Sequence, residues 1–293
     1  MDLLRTNTIK IVGRLQSQNL QPKNKKADGS GYISGSAIVI SHLDGRDCEF
    51  EIQFYTNQFT KDGKQSQLYT SYSKLGELVG KKVEITGELR ENRFFSKNGN
   101  QMASAQVLSG RFVRGVAEST EDEASFEFGG FIVDSLKEKT NKAGEIYRYD
   151  LVLGQSNYSG NMMGRFTFHI NPVDVEIVSG VQKYQIGETV FVHGNLRFYV
   201  EKVTSTVNNE GGFGEAVTRT YTNRQSNYFI TGGSAPIKDV EKGMYGSDVI
   251  RNLVSAYKAR DVEIAEAAKE SSRGENDSGE KEVKITSRQT SLI

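Results

Sequence analysis

Short stretches of alternating apolar and polar residues run through the first 115 residues of the chain. In CEFEIQFYT, residues 48–56, every second position up to Phe54 is apolar, and TIKI, residues 8–11, alternates in the same way. Strict alternation is typical of a strand that buries one face. Turn signals such as Asp44-Gly45 and Asn98-Gly99 separate such stretches. The pattern predicts a β-rich first module.

The same order of elements recurs in the second third of the chain. GKKVEITGELR at residues 80–90 and GETVFVHGNLR at residues 187–197 share the form G-x-x-V-x-φ-x-G-x-L-R, where φ is apolar. Gly13 and Gly130 each interrupt a first strand, and a lysine-rich loop follows each of these strands. Three matching features in one order indicate an internal repeat.

Beyond the repeat the period changes from that of a strand to that of a helix. Residues 246–270 place apolar side chains at helical spacing, whereas residues 271–293 are almost entirely polar and charged. The helix's apolar face is expected to pack on its own barrel, with partner binding or oligomerisation as the alternative. We therefore predict a first barrel in residues 1–116, a linker in 117–125, a second barrel in 126–235, a helix in 244–270 and a disordered tail in 271–293.

Five strands per module, a short helix or loop after the third strand and a glycine in the first strand point to the OB-fold, a five-stranded Greek-key barrel. The predicted fold class is mainly β, with two tandem OB-fold-like barrels, a C-terminal α-helix and a disordered tail. TNTIKIVGRL near the start, a polar hairpin and the V-x-I-x-G-x-L strand together resemble OB-fold single-stranded DNA-binding proteins. The chain has no tryptophan and ends in KITSRQTSLI, which is not acidic. The resemblance is therefore to a divergent, phage-like member with two modules.

The charge is zero overall but unevenly distributed. Residues 1–115 contain 17 Lys+Arg and 11 Asp+Glu, whereas residues 116–237 contain 10 and 15, so the modules carry +6 and −5. A polyanionic partner would therefore contact mainly the first module.

Single-strand binding needs cations along the phosphates and aromatic faces on which bases stack. Residues of both types border the expected OB binding face. In the first barrel these candidates are Lys23, Lys25, Lys26, Tyr32, Tyr55, Arg90, Arg93, Phe94, Phe95 and Lys97. In the second barrel they are Lys139, Lys142, Tyr147, Arg148, Tyr149, Arg197 and Tyr199. Because neighbouring strand residues point to opposite faces, at most one of Phe94 and Phe95 is naturally a core residue.

No motif in the sequence indicates an enzyme. His42, His169 and His193 are scattered without metal-ligand spacing, and phosphate-loop and nucleophile-elbow motifs are absent. Cys48 alternates with apolar residues and is expected to be a small buried residue. We therefore expect no catalytic residues, no metal and no cofactor.

The resemblance implies a non-catalytic protein that coats single-stranded DNA in replication or recombination, with little sequence preference. A single cysteine and the lack of a signal-peptide pattern predict a cytoplasmic location (the host cytoplasm for a viral protein), and the lack of any stretch of 18 apolar residues predicts no membrane partner. A homo-oligomer is one option, and replication proteins are the candidate partners of the C-terminal helix or tail. Two alternatives stay open. One is a structural or assembly β-barrel protein such as a virion component, and the other is an OB protein that binds RNA.

Overall fold

The computed structural model of the chain describes residues 3–24, 30–96, 101–207 and 217–274. Within these ranges twelve strands join in one continuous sheet, and two sets of five strands each close into a ring. The predicted fold class, mainly β with a C-terminal helix, is confirmed.

The first ring follows the strand order of an OB-fold. Its strands are β1 (Asn7–Gln18), β3 (Gly31–Leu43), β4 (Arg46–Asn57), β5 (Lys82–Ser96) and β6 (Gln101–Gly115). β1 pairs with β3, β3 with β4, β4 in parallel with β6, β6 with β5, and β5 with β1. A short helix, α1 (Gln67–Ser73), and a 3-10 turn (Leu75–Leu78) connect the third strand of the ring to the fourth.

The second ring repeats this order in the strands β7 (Glu123–Ile132), β9 (Ile146–Ser156), β10 (Met163–Ile170), β11 (Thr189–Val207) and β12 (Val217–Gly233). One parallel contact, between β10 and β12, again closes the ring. Helix α2 (Val175–Val181) lies between its third and fourth strands.

Each lysine-rich loop contains one short strand in addition to the five predicted per module. β2 (Gln21–Asn24) pairs with the start of β3, and β8 (Lys137–Thr140) pairs with β9. One boundary also differs from the prediction. β7 begins at Glu123, inside the segment assigned to the linker.

Two glycines explain how one long first strand can serve both sides of each barrel. A Cβ atom on Gly13 would lie 2.4 Å from the Ile40 carbonyl oxygen, and one on Gly130 would lie 2.4 Å from the Gly154 carbonyl oxygen. No side chain fits at such distances, so only glycine allows β1 to cross β3, and β7 to cross β9, this closely. The repeat seen in the sequence thus has a steric basis.

The two rings are fused along their first strands. Residues 7–12 of β1 pair antiparallel with residues 123–128 of β7, which joins the rings into one sheet. The cores are also continuous: the rings of Phe50 and Phe198 lie 5.2 Å apart across the boundary, and Phe198 lies 5.1 Å from Tyr228 in the second core. The sequence repeat did not reveal this fusion.

Helix α3 (Ser247–Gly274) packs against the second barrel. Its Leu253 is buried and belongs to a cluster with Phe131, Met163 and Tyr245. The apolar face thus packs on the chain's own barrel, as expected. The helix extends four residues into the segment predicted to be disordered, and residues 275–293 of that segment lie outside the described residues. No helix in the described ranges has the length and apolar character needed to span a membrane.

Candidate nucleic-acid interface

A groove of about 390 Å³ crosses β3 and β4 on the outer surface of the first barrel. Because side chains alternate between the two faces of a strand, Phe54 enters the core while Gln53 and Tyr55 face outward. Ser34 on β3 and Arg90 on β5 also line the groove. We call this surface the first-barrel groove.

Lys23, Tyr32 and Tyr55 lie on this face in a row across three strands. Lys23 is directly opposite Tyr32 in the β2–β3 pair, and Tyr55 is diagonal to Tyr32 across the β3–β4 pair. The two tyrosine rings are 5.7 Å apart and tilted, and Tyr55 is 51% exposed. Its hydroxyl donates a hydrogen bond to Asn57 Oδ1 at 3.1 Å, which fixes the ring beside the groove. Lys25 and Lys26, the other candidate cations of the same loop, lie outside the described residues.

The two predicted arginines of β5 have different environments. Arg90 lines the groove and makes a 2.7 Å ion pair with Glu88, yet its side chain remains 54% exposed. Arg93 is largely buried under α3, where its guanidinium lies 3.5 Å from the Tyr257 ring and forms an ion pair with Asp261. Arg90 is therefore accessible to a phosphate, whereas Arg93 attaches the helix to the first barrel.

Beyond the rings, the paired strands β5–β6 and β11–β12 continue as two arms, which we define as residues 90–107 and 197–226, each within its described part. Between them lies a cleft of about 550 Å³, the inter-arm cleft, lined by Phe94 and Tyr199 among others. Phe95 is on the opposite face of β5 from Phe94, the face that carries Arg93. Glu49 and Glu51 of β4 also line the cleft, and Glu49 pairs with Arg224 at 3.0 Å. Lys97, another candidate in the sequence, lies outside the described residues.

Most of the candidate cations in the second barrel are held by acidic residues. Asp150 lies 2.8 Å from Arg148 and 3.7 Å from Lys139. Arg197 pairs with Asp44 of the β3–β4 turn at 2.5 Å and is only 13% exposed, so it connects the two barrels. These residues therefore have structural ion pairs that the sequence did not reveal.

The remaining second-barrel candidates differ in exposure. Lys142 is exposed in the turn after β8, and Tyr147 is 54% exposed with the Arg148 guanidinium 5.7 Å from its ring. Tyr149 is half-buried and packs against the core. Tyr199 lies beneath Arg46, whose guanidinium is 5.8 Å from the centre of the tyrosine ring. The second barrel thus presents Lys142 and Tyr147 to solvent, on the side of its own lysine-rich loop.

A third hollow, of about 790 Å³, contains functional candidates that the sequence analysis missed. It lies between β5, the β9–β10 turn and α3, and its lining includes Arg5, Arg111 and Tyr158. Tyr158 is 93% exposed, the highest value among the exposed large apolar or aromatic side chains of the described chain. The turn-forming sequence around Tyr158, SNYSGN, was the available signal for an exposed aromatic residue.

Two residues weighed for chemistry are buried in the cores. Burial lowers the pKa of His169 to about 4, with the Arg148 guanidinium acting in the same direction, so the ring is neutral and its Nδ1 accepts a hydrogen bond from the Tyr228 backbone N–H at 3.3 Å. Burial raises the pKa of the Cys48 thiol. In the part of the chain that the structure describes, His, Cys, Asp and Glu form no cluster of three or more suited to a metal ion.

The family model of YorF matches residues 5–272, nearly the whole chain. The chain belongs to the YorF family. No curated protein matches this YorF-family chain.

Among solved structures, a similar fold occurs in a deletion mutant of the single-stranded DNA binding protein from Thermus aquaticus. It has a TM-score of 0.50 and 11% identity, and the match covers 80% of the YorF-family chain and 97% of the other. The wild-type Thermus aquaticus protein gives a TM-score of 0.49 and 10% identity, with 80% and 95% covered. The match with the deletion mutant covers 80% of the chain, which is more than either barrel contains, so the shared fold includes both barrels.

Proposed function

We propose that this YorF-family chain is a non-catalytic single-stranded DNA-binding protein and that the strand lies in the first-barrel groove. The observation that carries the proposal is the alignment of Lys23, Tyr32, Tyr55 and Arg90 on one outer face. OB-folds bind oligonucleotides on this face of the barrel, between the loop after the first strand and the loop between the fourth and fifth strands. The fold shared with a protein described as a single-stranded DNA binding protein supports the same function.

The chemistry of the groove favours single strands over duplexes. The tyrosine rings can stack only on bases that are unpaired and splayed from their neighbours. Every base has a π-face, so stacking on Tyr55 and Tyr32 gives little sequence preference, and Lys23 and Arg90 would contact phosphates. Such a protein would coat exposed strands during replication or recombination.

The unequal charge of the modules supports the first barrel as the main contact. The first 115 residues carry +6, and Lys23 is exposed while Arg90 is half exposed. In the second barrel, Lys139 and Arg148 are paired with Asp150. We propose that the second barrel adds contacts at its margin, whereas the first holds the strand.

A titration of fluorescently labelled oligo-dT across a salt series tests the proposal. The logarithm of the association constant should fall linearly with the logarithm of the salt concentration, with a slope of about −0.7 for each phosphate neutralised. Three to five such contacts would give a total slope of roughly −2 to −3.5. Oligo-dT should bind more tightly than a duplex of equal length.

Two results would contradict the proposal. One is the absence of oligo-dT binding below tens of micromolar at low salt. The other is a ring or tube that assembles without nucleic acid and ignores oligonucleotides, which would establish the structural alternative. An oligo-U titration run in parallel tells whether the ligand is RNA instead.

A further inference from the structure

The hollow between the barrels is rich in arginine. Its lining contains five arginines and two glutamates. Arg93 and Arg260 pair with Asp261 and Glu263 of α3, so the available positive charge comes from the other three arginines. We call it the arginine cleft. The arginines are Arg5, Arg90, Arg93, Arg111 and Arg260, and the glutamates are Glu88 and Glu91.

The ion pairs within the arginine cleft leave cationic side chains facing solvent. Arg90 and Arg111 share one carboxylate, that of Glu88, at 2.7 and 2.5 Å, and remain 54% and 57% exposed. Two cations on one anion leave one positive charge in excess. Arg5 donates to neutral oxygens, Ser156 Oγ at 3.2 Å and the Tyr158 carbonyl at 2.9 Å. Guanidinium groups in this state retain donors for phosphate oxygens.

An aromatic face lies beside these cations. Tyr158, at the β9–β10 turn, is 93% exposed, and the Arg5 guanidinium lies 5.8 Å from its ring centroid. A solvated tyrosine next to an arginine is the pairing that single-strand binding requires, since one group accepts a base and the other its phosphate.

Arg90 lines both the first-barrel groove and the arginine cleft, so the two surfaces are continuous. The groove also meets the inter-arm cleft, because Glu51 and Gln53 line both. The inter-arm cleft presents Glu49 and Glu51 with one arginine, Arg224, which already pairs with Glu49. A chain of phosphates would be repelled there and attracted in the arginine cleft.

We propose that the bound strand leaves the first-barrel groove past Arg90 and crosses to the second barrel through the arginine cleft. There Arg5 and Arg111 contact phosphates and Tyr158 stacks on a base. This inference rests on the proposed function and adds the path that joins the two barrels. The cleft lies between the modules, so both modules contribute to the site although only one of them is basic.

The test compares Arg111→Gln and Tyr158→Ala with a matched control, Arg114→Gln. Arg111 and Arg114 both lie on β6, are 57% and 71% exposed and pair with a glutamate of β5, but Arg114 is not part of the cleft lining. On oligo-dT of about 30 nucleotides, Tyr158→Ala should weaken binding about tenfold. Arg111→Gln should reduce the salt slope by about 0.7. Arg114→Gln should leave both quantities unchanged.

An oligo-dT of about 8 nucleotides serves as the second ligand, since it is near the footprint of one OB barrel. It should fill the first-barrel groove, so the cleft variants should affect it less than the longer strand. Thermal unfolding of each variant should match the wild type, because both side chains are at the surface.

Three results would overturn the inference while leaving the proposed function intact. The first is that the wild type binds oligo-dT, but Arg111→Gln and Tyr158→Ala show the same affinity and salt slope as Arg114→Gln. The second is that Phe94→Ala weakens oligo-dT binding more than Tyr158→Ala does, which would indicate that the strand passes through the inter-arm cleft. The third is that Arg111→Gln abolishes binding of an acidic peptide, the alternative anionic ligand for the arginine cleft, and leaves oligo-dT binding unchanged. A wild-type protein that binds no oligonucleotide would instead refute the proposed function.

Discussion

Replacing Tyr55 with alanine is expected to weaken oligo-dT binding about 5- to 150-fold. This range corresponds to the ~1–3 kcal/mol that one base gains by stacking on an aromatic side chain. Tyr55 is half exposed, is oriented by its hydrogen bond to Asn57, and lies 5.7 Å from Tyr32, so removing its ring also leaves Tyr32 without its partner. A fluorescence titration at fixed salt measures the loss.

Phe112→Ala is the matched control for this substitution. Phe112 is 65% exposed on β6 of the same barrel but lines neither the first-barrel groove nor the two clefts. Its removal should leave the affinity unchanged. Tyr55→Phe keeps the ring and should retain most of the binding. Equal affinities for Tyr55→Ala and the wild type would remove Tyr55 from the site.

Replacing Phe168 with alanine is expected to lower the free energy of unfolding by about 3–5 kcal/mol. Phe168 is fully buried at the centre of the second core, where its ring lies 5.0 Å from Phe126, 5.0 Å from Phe128 and 6.5 Å from Tyr228. Urea unfolding followed by circular dichroism measures the change. Tyr147→Ala, at an exposed position in the same barrel, should change stability by less than about 0.5 kcal/mol.

The Phe168→Ala variant also tests whether the barrels unfold together. The contact from Phe50 through Phe198 to Tyr228 makes the two cores continuous, and β1 pairs with β7. Hydrogen exchange in peptides from β3–β4 should therefore speed up together with exchange in peptides from β9–β10. Full protection of β3–β4 while the second barrel opens would show that the barrels are independent.

The alternating pattern and the repeat were enough to predict the two barrels. Period-2 burial in β4 and the glycines at 13 and 130 have local causes that appear directly in the sequence. The fusion of the barrels does not, because β1–β7 pairing joins residues more than a hundred positions apart through backbone atoms that carry no sequence signal.

For the candidate site, the sequence pattern predicts side-chain direction only where that direction follows from the strand period. The row of Lys23, Tyr32 and Tyr55 is of this kind. The pattern does not reveal the ion pairs of Arg93 and Arg197, because their partners Asp261 and Asp44 lie far away in the sequence. A basic residue in a hairpin is an available cation only if no distant carboxylate reaches it, and only the tertiary structure gives that distance.

The charge totals of the modules describe the site incompletely for a related reason. They identify the first barrel as basic, but the arginine cleft combines Arg5, Arg90 and Arg111 with Tyr158 of the second barrel. The net charge of the second module therefore does not exclude it from binding.

Photocrosslinking tests the central claim, that a single strand lies in the first-barrel groove, most directly. Oligo-dT carrying 5-iodouracil would be bound at low salt, irradiated and mapped by mass spectrometry of the digested protein. The account predicts adducts on the β3–β4 peptides that contain Tyr32 and Tyr55. Efficient crosslinking confined to other surfaces, such as the β6 peptide with Phe112, would contradict it.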